Sequence, residues 1–206
     1  MSGIEALSRE TILRAAIDIA DEDGLDAVSM RAIASRFGVT AMSLYRHVAG
    51  KDAILDGMID QVVSEIDLVD LRGWKETVRS AAISTHDVLL RHPWASAMWL
   101  SRQSEGPARL RWGDFILRAL GDGELAEETT FHVYHILESQ ILGSTMQQLS
   151  FPYRGEELAG MAREFLEHFP RDKYPDLVAH IEAHLRPRAG EESGFEFALD
   201  LILDGL

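Results

Sequence analysis

Residues 29–51 of the chain read SMRAIASRFGVTAMSLYRHVAGK, and this stretch decides the fold. Ser29 is placed to cap a short helix in which Ile33 and Phe37 fall on one face. Gly38 is placed to end that helix, because glycine accepts the left-handed conformation of a helix end. The first part of the stretch therefore predicts one short, capped, amphipathic helix.

A further helix is predicted over 41–48, after a tight turn in which Thr40 is placed as its cap. At 100° per residue, Leu44 and Val48 define its buried side. The exposed side carries Met42 and no carboxylate. Its other side chains offer groups that hydrogen-bond phosphate oxygens and base edges: Ser43, Tyr45, Arg46 and His47. Two short helices joined by a glycine-containing turn predict a helix-turn-helix, and this exposed face favours a DNA-reading function.

An earlier helix completes the N-terminal unit. It is predicted to begin after Ser8 and to end at Gly24. Its apolar positions recur at helical spacing: Ile12, Ala15, Ala16, Ile19 and Ala20.

Over residues 8–60 the chain resembles the DNA-binding domain of the tetracycline-repressor (TetR) family, without a gap. The resemblance rests on the runs 29–34 and 37–40 and on the stretch Leu-Tyr-x-His-Val-x-x-Lys that begins at Leu44. Ala41 and Met42 depart from the polar residue and the proline that family members often carry there.

The resemblance also implies roles for individual side chains. Arg31 would reach a base or a phosphate, Met42, Ser43 and Arg46 would face the major groove, and Tyr45, His47 and Lys51 would hold backbone phosphates. The full set predicted to bind DNA is Ser29, Arg31, Thr40, Ala41, Met42, Ser43, Tyr45, Arg46, His47 and Lys51.

Charge is unevenly distributed along the chain. The 206 residues hold 20 basic and 34 acidic side chains, a net charge of −14 that alone would argue against nucleic acid. From Ala27 to Lys51, however, there is no Asp or Glu, and Arg31, Arg36, Arg46 and Lys51 give that window a charge of +4 and the remainder −18. The position of the charges therefore favours DNA binding, although one solvated face would give the same count.

Several classes of protein are excluded or disfavoured by composition. The absence of cysteine removes disulfides, thiolate metal sites and cysteine nucleophiles. No apolar run approaches the roughly 20 residues of a membrane span, and the N-terminus lacks a signal-peptide core. We expect a cytoplasmic protein with no membrane partner.

A fourth helix links two predicted domains. Its apolar stripe is longer than the three small helices need: Ile54, Leu55, Met58, Ile59, Val62, Val63 and Ile66. We place the domain boundary at 67–73, giving a DNA-binding domain at 1–67 and a larger ligand-sensing and dimerisation domain at 68–206. The chain is predicted to be all-α, with further helices at 74–91, 94–102, 107–120, 124–149, 155–168, 174–185 and 192–205.

The predicted helices over 124–149 and 192–205 are apolar around most of their circumference, which requires burial on two sides. Either both are central core helices of a monomer, or a second copy covers one side. We favour a homodimer through Ser139, Leu142, Gly143, Met146, Phe195, Leu199 and Ile202. The C-terminal segment also resembles the tetracycline-repressor-like C-terminal domain, which implies a four-helix dimer bundle. Such a dimer places two recognition helices about 34–36 Å apart and predicts a palindromic site on double-stranded DNA.

Aromatic residues concentrate between 94 and 117, which suits either a small-molecule pocket or a plain core. The predicted pocket residues are Trp94, Met98, Trp99, Trp112 and Phe115, with Phe131, Tyr134, His135, Glu138 and Gln147 from the long helix.

No catalytic chemistry is predicted. His132, His135 and Glu138 share a spacing of three, but no second segment brings matching ligands. His180 and His184 have a spacing of four, but their helix begins acidic and is expected to be a solvated face. We therefore expect no metal and no cofactor, and no nucleophile or phosphate-loop motif indicates an enzyme.

The sequence predicts a ligand-responsive transcriptional regulator, a repressor released from its operator by a small-molecule effector. The alternative is an architectural or partner-binding helical protein with non-sequence-specific DNA binding.

Overall fold

The computed structural model describes residues 6–102, 106–153, 155–183, 185 and 193–206. These residues form eleven α-helices and no strand, which confirms the all-α prediction: α1 (Arg9–Asp23), α2 (Met30–Arg36), α3 (Ala41–Leu44), α4 (Lys51–Val63), α5 (Trp74–Arg91), α6 (Ala95–Ser101), α7 (Pro107–Gly121), α8 (Glu127–Ser150), α9 (Gly155–Glu167), α10 (Pro175–Ala183) and α11 (Gly194–Asp204). The predicted start of the last helix, residue 192, lies outside the described residues, as does His184.

Helices α1–α3 form a small unit with a core of Val28, Ile33 and Leu44. As predicted, Ser8 caps α1: its hydroxyl accepts a hydrogen bond from the Thr11 backbone N–H at 3.2 Å. Gly24 ends the helix with φ +86°, a conformation that suits glycine.

Helix α4 contacts both halves of the molecule: the small N-terminal unit of α1–α3, and the helical body formed by the helices that follow α4. Ile54, Met58 and Val62 are buried along one side, and α4 packs against α1 as well as α5, α6 and α7. The approach to α1 is close at Gly57, where an added Cβ would lie 2.7 Å from a methyl group of Leu13. The prediction that this helix covers the small N-terminal unit and extends into the next one is confirmed.

The second half of the chain is a helical body built on α5, α7 and α8, with α11 packed on α5 and α8. Arg79 on α5 joins the last helix through Asp200 (Nε to Oδ1, 2.6 Å) and Glu196 (Nη2 to Oε2, 2.8 Å). Hydrogen bonding to this guanidinium lowers the pKa of Asp200.

Helices α9 and α10 pack against each other. Their buried side chains, Ala159, Ala162, Leu166 and Val178, lie apart from the main core of the body. No helix within the described residues is both long and apolar enough to cross a membrane.

Candidate DNA-binding and effector sites

The recognition helix α3 is shorter than predicted. It begins at Ala41 as expected but ends at Leu44 rather than Val48. The Leu44 carbonyl accepts both the His47 N–H at 2.9 Å and the Val48 N–H at 3.1 Å, so a single mixed i−3 and i−4 turn follows the helix. Leu44 and Val48 are nevertheless both buried, as the angular pattern predicted.

The two predicted caps of the helix-turn-helix differ in outcome. The Ser29 hydroxyl accepts the Ala32 backbone N–H at 3.1 Å and caps α2 as predicted. Thr40 lies at the N-cap position of α3 as predicted, but its side chain accepts no backbone N–H. Its Oγ1 lies 3.1 Å from Oγ of Ser43, because the two hydroxyls bond each other across the first turn.

Most of the predicted DNA-binding side chains are exposed, from α2 through α3 to the start of α4. Met42 is 74% exposed, the largest value among the exposed large apolar side chains of the described residues. Ser29, Ala41 and Ser43 are half-buried, while the larger polar groups are exposed: Arg31, Thr40, Tyr45, Arg46, His47 and Lys51. Within the described part of the chain, the cationic groups of this exposed set form no ion pair.

Arg36 is the exception in the basic window. Its guanidinium pairs with Glu22 on α1, and this hydrogen bond raises the pKa of Arg36. The sequence count of +4 therefore overstates the charge that is free to meet phosphate, because Glu22 lies outside the window but folds onto it.

The residues predicted to line an effector pocket separate into two groups. Trp94, Met98, Trp99, Trp112 and Phe115 are buried in the protein's own core. On α8, Phe131, His135 and Gln147 are exposed, and Tyr134 and Glu138 are half-buried. The structure therefore does not gather all ten side chains around one cavity.

Four polar and aromatic side chains do meet between α6, α7 and α8. The Trp99 indole N–H donates to Glu138 Oε1 at 2.9 Å. The Arg109 guanidinium lies 5.3 Å above the Trp99 ring and 3.9 Å from the Glu138 carboxylate. Tyr134 lies nearby against Trp112, with ring centroids 5.9 Å apart, and burial, followed by the charge of Glu138, raises its pKa.

Arg109 was missed by the sequence analysis. A basic residue three positions before a buried tryptophan on one helix is a weak signal, and its partner Glu138 lies 29 residues away in the chain.

Trp94 lies elsewhere than predicted. Its indole N–H donates to Asp21 Oδ1 on α1 at 2.7 Å, so it belongs to the junction between the two halves of the molecule. Asp21 was not singled out from the sequence, because nothing local distinguishes it from its acidic neighbours Glu22 and Asp23.

The exposed side of α8 carries an open depression of about 420 Å3, lined by His132, His135, Ile136, Ser139 and Gln140. His135 packs edge-on against Phe131, with centroids 4.7 Å apart, while Glu138 faces Trp99. Among the described residues, no group of three His, Asp or Glu side chains is placed to hold a metal ion.

The residues predicted to form a dimer interface also divide. Leu142, Phe195 and Leu199 are buried inside the protein's own core, where Phe195 stacks on His86 with ring centroids 4.1 Å apart. They therefore do not offer an open face. Ile202 is half-buried, and the other predicted residues are exposed beside further exposed apolar side chains: Ser139, Gly143 and Met146, with Ile136, Phe197 and Leu201.

Comparison with known proteins agrees with this geometry. The family model for bacterial regulatory proteins of the tetR family matches residues 12–58. The family model for the tetracyclin repressor-like C-terminal domain matches residues 70–206. The chain is 30% identical to the transcriptional repressor DrrR1 of Streptomyces coeruleorubidus, over 97% of this chain and 77% of that protein. It is 26% identical to the class A tetracycline repressor of transposon 1721 from Escherichia coli, over 97% and 90%.

A solved structure shows the same architecture. The TetR family protein ActR from Streptomyces coelicolor, in complex with actinorhodin, superposes with a TM-score of 0.81 at 25% identity, over 100% of this chain and 96% of that one. The family models cover most of the chain, and the exposed, acid-free face lies on the helix-turn-helix that one of them describes. The chain therefore belongs to the TetR family, and it is a DNA-binding transcriptional regulator of the repressor kind.

Proposed function

We propose that two copies of this chain place their α3 helices in successive major grooves of a palindromic operator, and that a small-molecule effector releases them. The observation that carries this proposal is the exposure of Arg31, Tyr45, Arg46 and Lys51, none of which pairs with a carboxylate among the described residues. Such groups bind phosphate oxygens and base edges. A repressor of this kind acts by binding alone, in the cytoplasm, without catalysis.

The resemblance to the TetR family supports a division of roles among these side chains. Met42, Ser43 and Arg46 read base edges, and Arg31, Tyr45, His47 and Lys51 hold the phosphate backbone. Ser29, Thr40 and Ala41 border this face. Phosphate contacts fix the register of the protein on DNA, whereas base contacts supply the sequence preference.

We place the effector in the domain over 68–206, where α6, α7 and α8 meet. Trp99 and Tyr134 offer aromatic walls, and Arg109 and Glu138 offer one charge of each sign. This pairing favours an uncharged, planar ligand with both donor and acceptor groups. ActR, which shares the architecture, is solved with actinorhodin bound.

A second copy of the chain covers the exposed apolar face of α8 and α11. Ile136, Met146, Phe197 and Leu201 are exposed there, and Ser139 and Gly143 allow a partner helix to approach. A two-fold dimer also points both acidic bodies away from the DNA.

Selection of bound fragments from the host genome, followed by footprinting, tests the proposal. The expected result is a palindrome whose half-site centres lie one DNA turn apart. Lys51→Ala should weaken binding to all sequences equally and reduce the salt slope by about 1. Retention of all fragments with equal affinity would instead support the architectural alternative.

Effector release is tested on the same operator. With actinorhodin as the first probe, binding should weaken the protein–operator complex, and operator DNA should weaken actinorhodin binding by the same factor. A probe that binds tightly yet leaves operator affinity unchanged would contradict the release mechanism.

A further inference from the structure

A polar cluster joins the two halves of the molecule on the side of α1. We define the His92 cluster as Asp21, Glu65, His92 and Trp94. Asp21, on α1, has its two carboxylate oxygens 3.0 and 2.9 Å from Nδ1 of His92, and its Oδ1 also accepts the Trp94 indole N–H at 2.7 Å. Nε2 of His92 lies 3.4 Å from Glu65 Oε2, just after α4.

The two nitrogens of His92 thus both face carboxylates. An ionised carboxylate only accepts hydrogen bonds, and a neutral imidazole has a single N–H to donate. Both contacts are satisfied together only when His92 carries a proton on each nitrogen. Further charged groups lie near Glu65. Arg91 Nη2 lies 3.2 Å from the same Glu65 oxygen, and the carboxylates of Asp67 and Asp87 line the same depression as Glu65 and Arg91. Glu65 therefore keeps one cationic partner when His92 is neutral.

Burial of His92 and Trp94 makes the loss of a hydrogen bond at this place costly. His92 is only 9% exposed, and Trp94 is also buried, so water replaces a missing hydrogen bond poorly. Neutral His92 keeps its N–H on Asp21 and turns an unprotonated nitrogen toward Glu65. The contact with α1 then persists, while the contact after α4 becomes unfavourable.

Helix α6 is held to the DNA-binding half at its other end as well. Arg102, directly after α6, donates from Nε to Asp56 at 2.7 Å and from Nη2 to Asp52 at 3.0 Å, both on α4. Between these two attachments, α6 buries Met98 and Trp99 in the sensing half. Arg102 contacts only α4 in this way, so the His92 cluster supplies the polar attachment of α6 to α1.

We propose that His92 is a positioning residue whose bridge between Asp21 and Glu65 fixes the orientation of α1–α3 relative to the helical body, and that the bridge is complete only when His92 is protonated. The consequence for DNA rests on the proposed function: the same orientation sets the separation of the two recognition helices. Protonation of His92 therefore favours one orientation of α1–α3 relative to the helical body. Effector binding must act on the same orientation.

The absence of cysteine provides a direct test. Ser35→Cys on α2 and Leu117→Cys on α7 introduce two exposed labelling sites, one in each half of the molecule. Spin labels there, with labelled protein diluted in an excess of unlabelled protein, report the distance between the halves within one protomer. The measurement is made at about pH 5.5 and about pH 8.5, which bracket the titration of histidine side chains.

With His92 present, we expect a narrow distance distribution at the lower pH and a broader or shifted one at the higher pH. His92→Gln should give the broad distribution at both values. His168→Gln, which changes an exposed histidine on the chain segment after α9, should behave like the parent. A His92→Gln distribution that matches the parent at both pH values would overturn the proposal.

Two further readouts keep the test decisive. If His92→Gln does not fold, as judged by helical circular dichroism, an unchanged distribution in the parent between the two pH values overturns the proposal by itself. On the selected operator, His92→Gln should change affinity at least about fivefold at the lower pH and less at the higher pH. Failure to select any operator would contradict the proposed function, whereas the distance measurement would still decide the role of His92.

Discussion

The recognition face on α2 and α3 and the aromatic region between α6, α7 and α8 are built in opposite ways. Met42 and Arg46 are exposed, and Arg46 forms no ion pair among the described residues. Trp99, in contrast, is 1% exposed, and its indole N–H is already bonded to Glu138. DNA can therefore dock on a surface that exists before it arrives. At the effector site that we propose, a ligand must instead separate side chains that already pack and bond with one another, so we expect its binding to be coupled to a conformational change.

The largest expected effect is a difference in the free energy of unfolding between variants of the two regions. Trp99→Ala should reduce the free energy of unfolding by about 3–5 kcal/mol, because it leaves a cavity in the core. Met42→Ala should change it by less than about 0.5 kcal/mol, since the side chain lies in solvent. Urea unfolding followed by circular dichroism measures both, and equal losses would show that the two regions are not built differently.

The next effect concerns DNA affinity and uses two arginines of the same basic window. Arg46→Ala should weaken operator binding by about 1–3 kcal/mol and relax the preference at one base position, because a free guanidinium can pair with guanine. Arg36→Ala is the matched control, since Glu22 already holds that side chain. Fluorescence anisotropy with the operator and single-base variants measures both. If Arg36→Ala weakened operator binding more than Arg46→Ala, Arg36 and not Arg46 would be the arginine that contacts DNA.

The role of Met42 can be tested by removing a single methyl group from the DNA. Its exposed apolar side chain fits the 5-methyl group of thymine in the major groove. Replacing a contacted thymine by deoxyuridine removes only that methyl group and should weaken binding by about 0.8 kcal/mol. Scanning the half-site with deoxyuridine finds the position. Met42→Ala should bind both DNAs equally there, and persistent discrimination by this variant would assign the methyl contact to another residue.

The smallest effect lies in the sensing domain and depends on pH. Arg79 lowers the pKa of Asp200 in the folded protein, so this carboxylate stabilises the fold above its unfolded pKa of about 4, and the contribution disappears as the pH falls below that value. Asp200→Asn should therefore lower the melting temperature slightly at neutral pH and progressively less in acid. Asp204→Asn, an exposed carboxylate on the same helix, is the control. An equal decrease for both variants would exclude a specific contribution from Arg79.

Local signals predicted much of the fold. Ser8, Gly24 and Ser29 mark helix ends in the structure as they do in the sequence, because caps depend on neighbours within one turn. The third helix was predicted too long, since periodicity alone does not distinguish a continuing α-helix from the single mixed turn that follows Leu44. Thr40 also lies at its predicted N-cap position, but its hydroxyl bonds the hydroxyl of Ser43 and accepts no backbone N–H.

The candidate sites were predictable to different degrees. The exposed face of α3 follows from the angle of each residue around one helix, so Met42, Tyr45, Arg46 and His47 are exposed where the sequence places them. For α8 and α11, apolar positions on several faces do not say which face the protein itself covers. Leu142, Phe195 and Leu199 turned inward, and Phe197 and Leu201 remained exposed.

By itself, the sequence determined the helical class, the helix-turn-helix and the residues of its exposed face, because these depend on spacing within a few turns of one helix. Only the tertiary structure decided which charges cancel and which helices are tied together. Glu22 reaches Arg36, Asp21 reaches His92 and Trp94, and Glu138 reaches Trp99. Each of these contacts joins residues at least 14 positions apart, and their pairing is set by how the helices pack rather than by any local pattern.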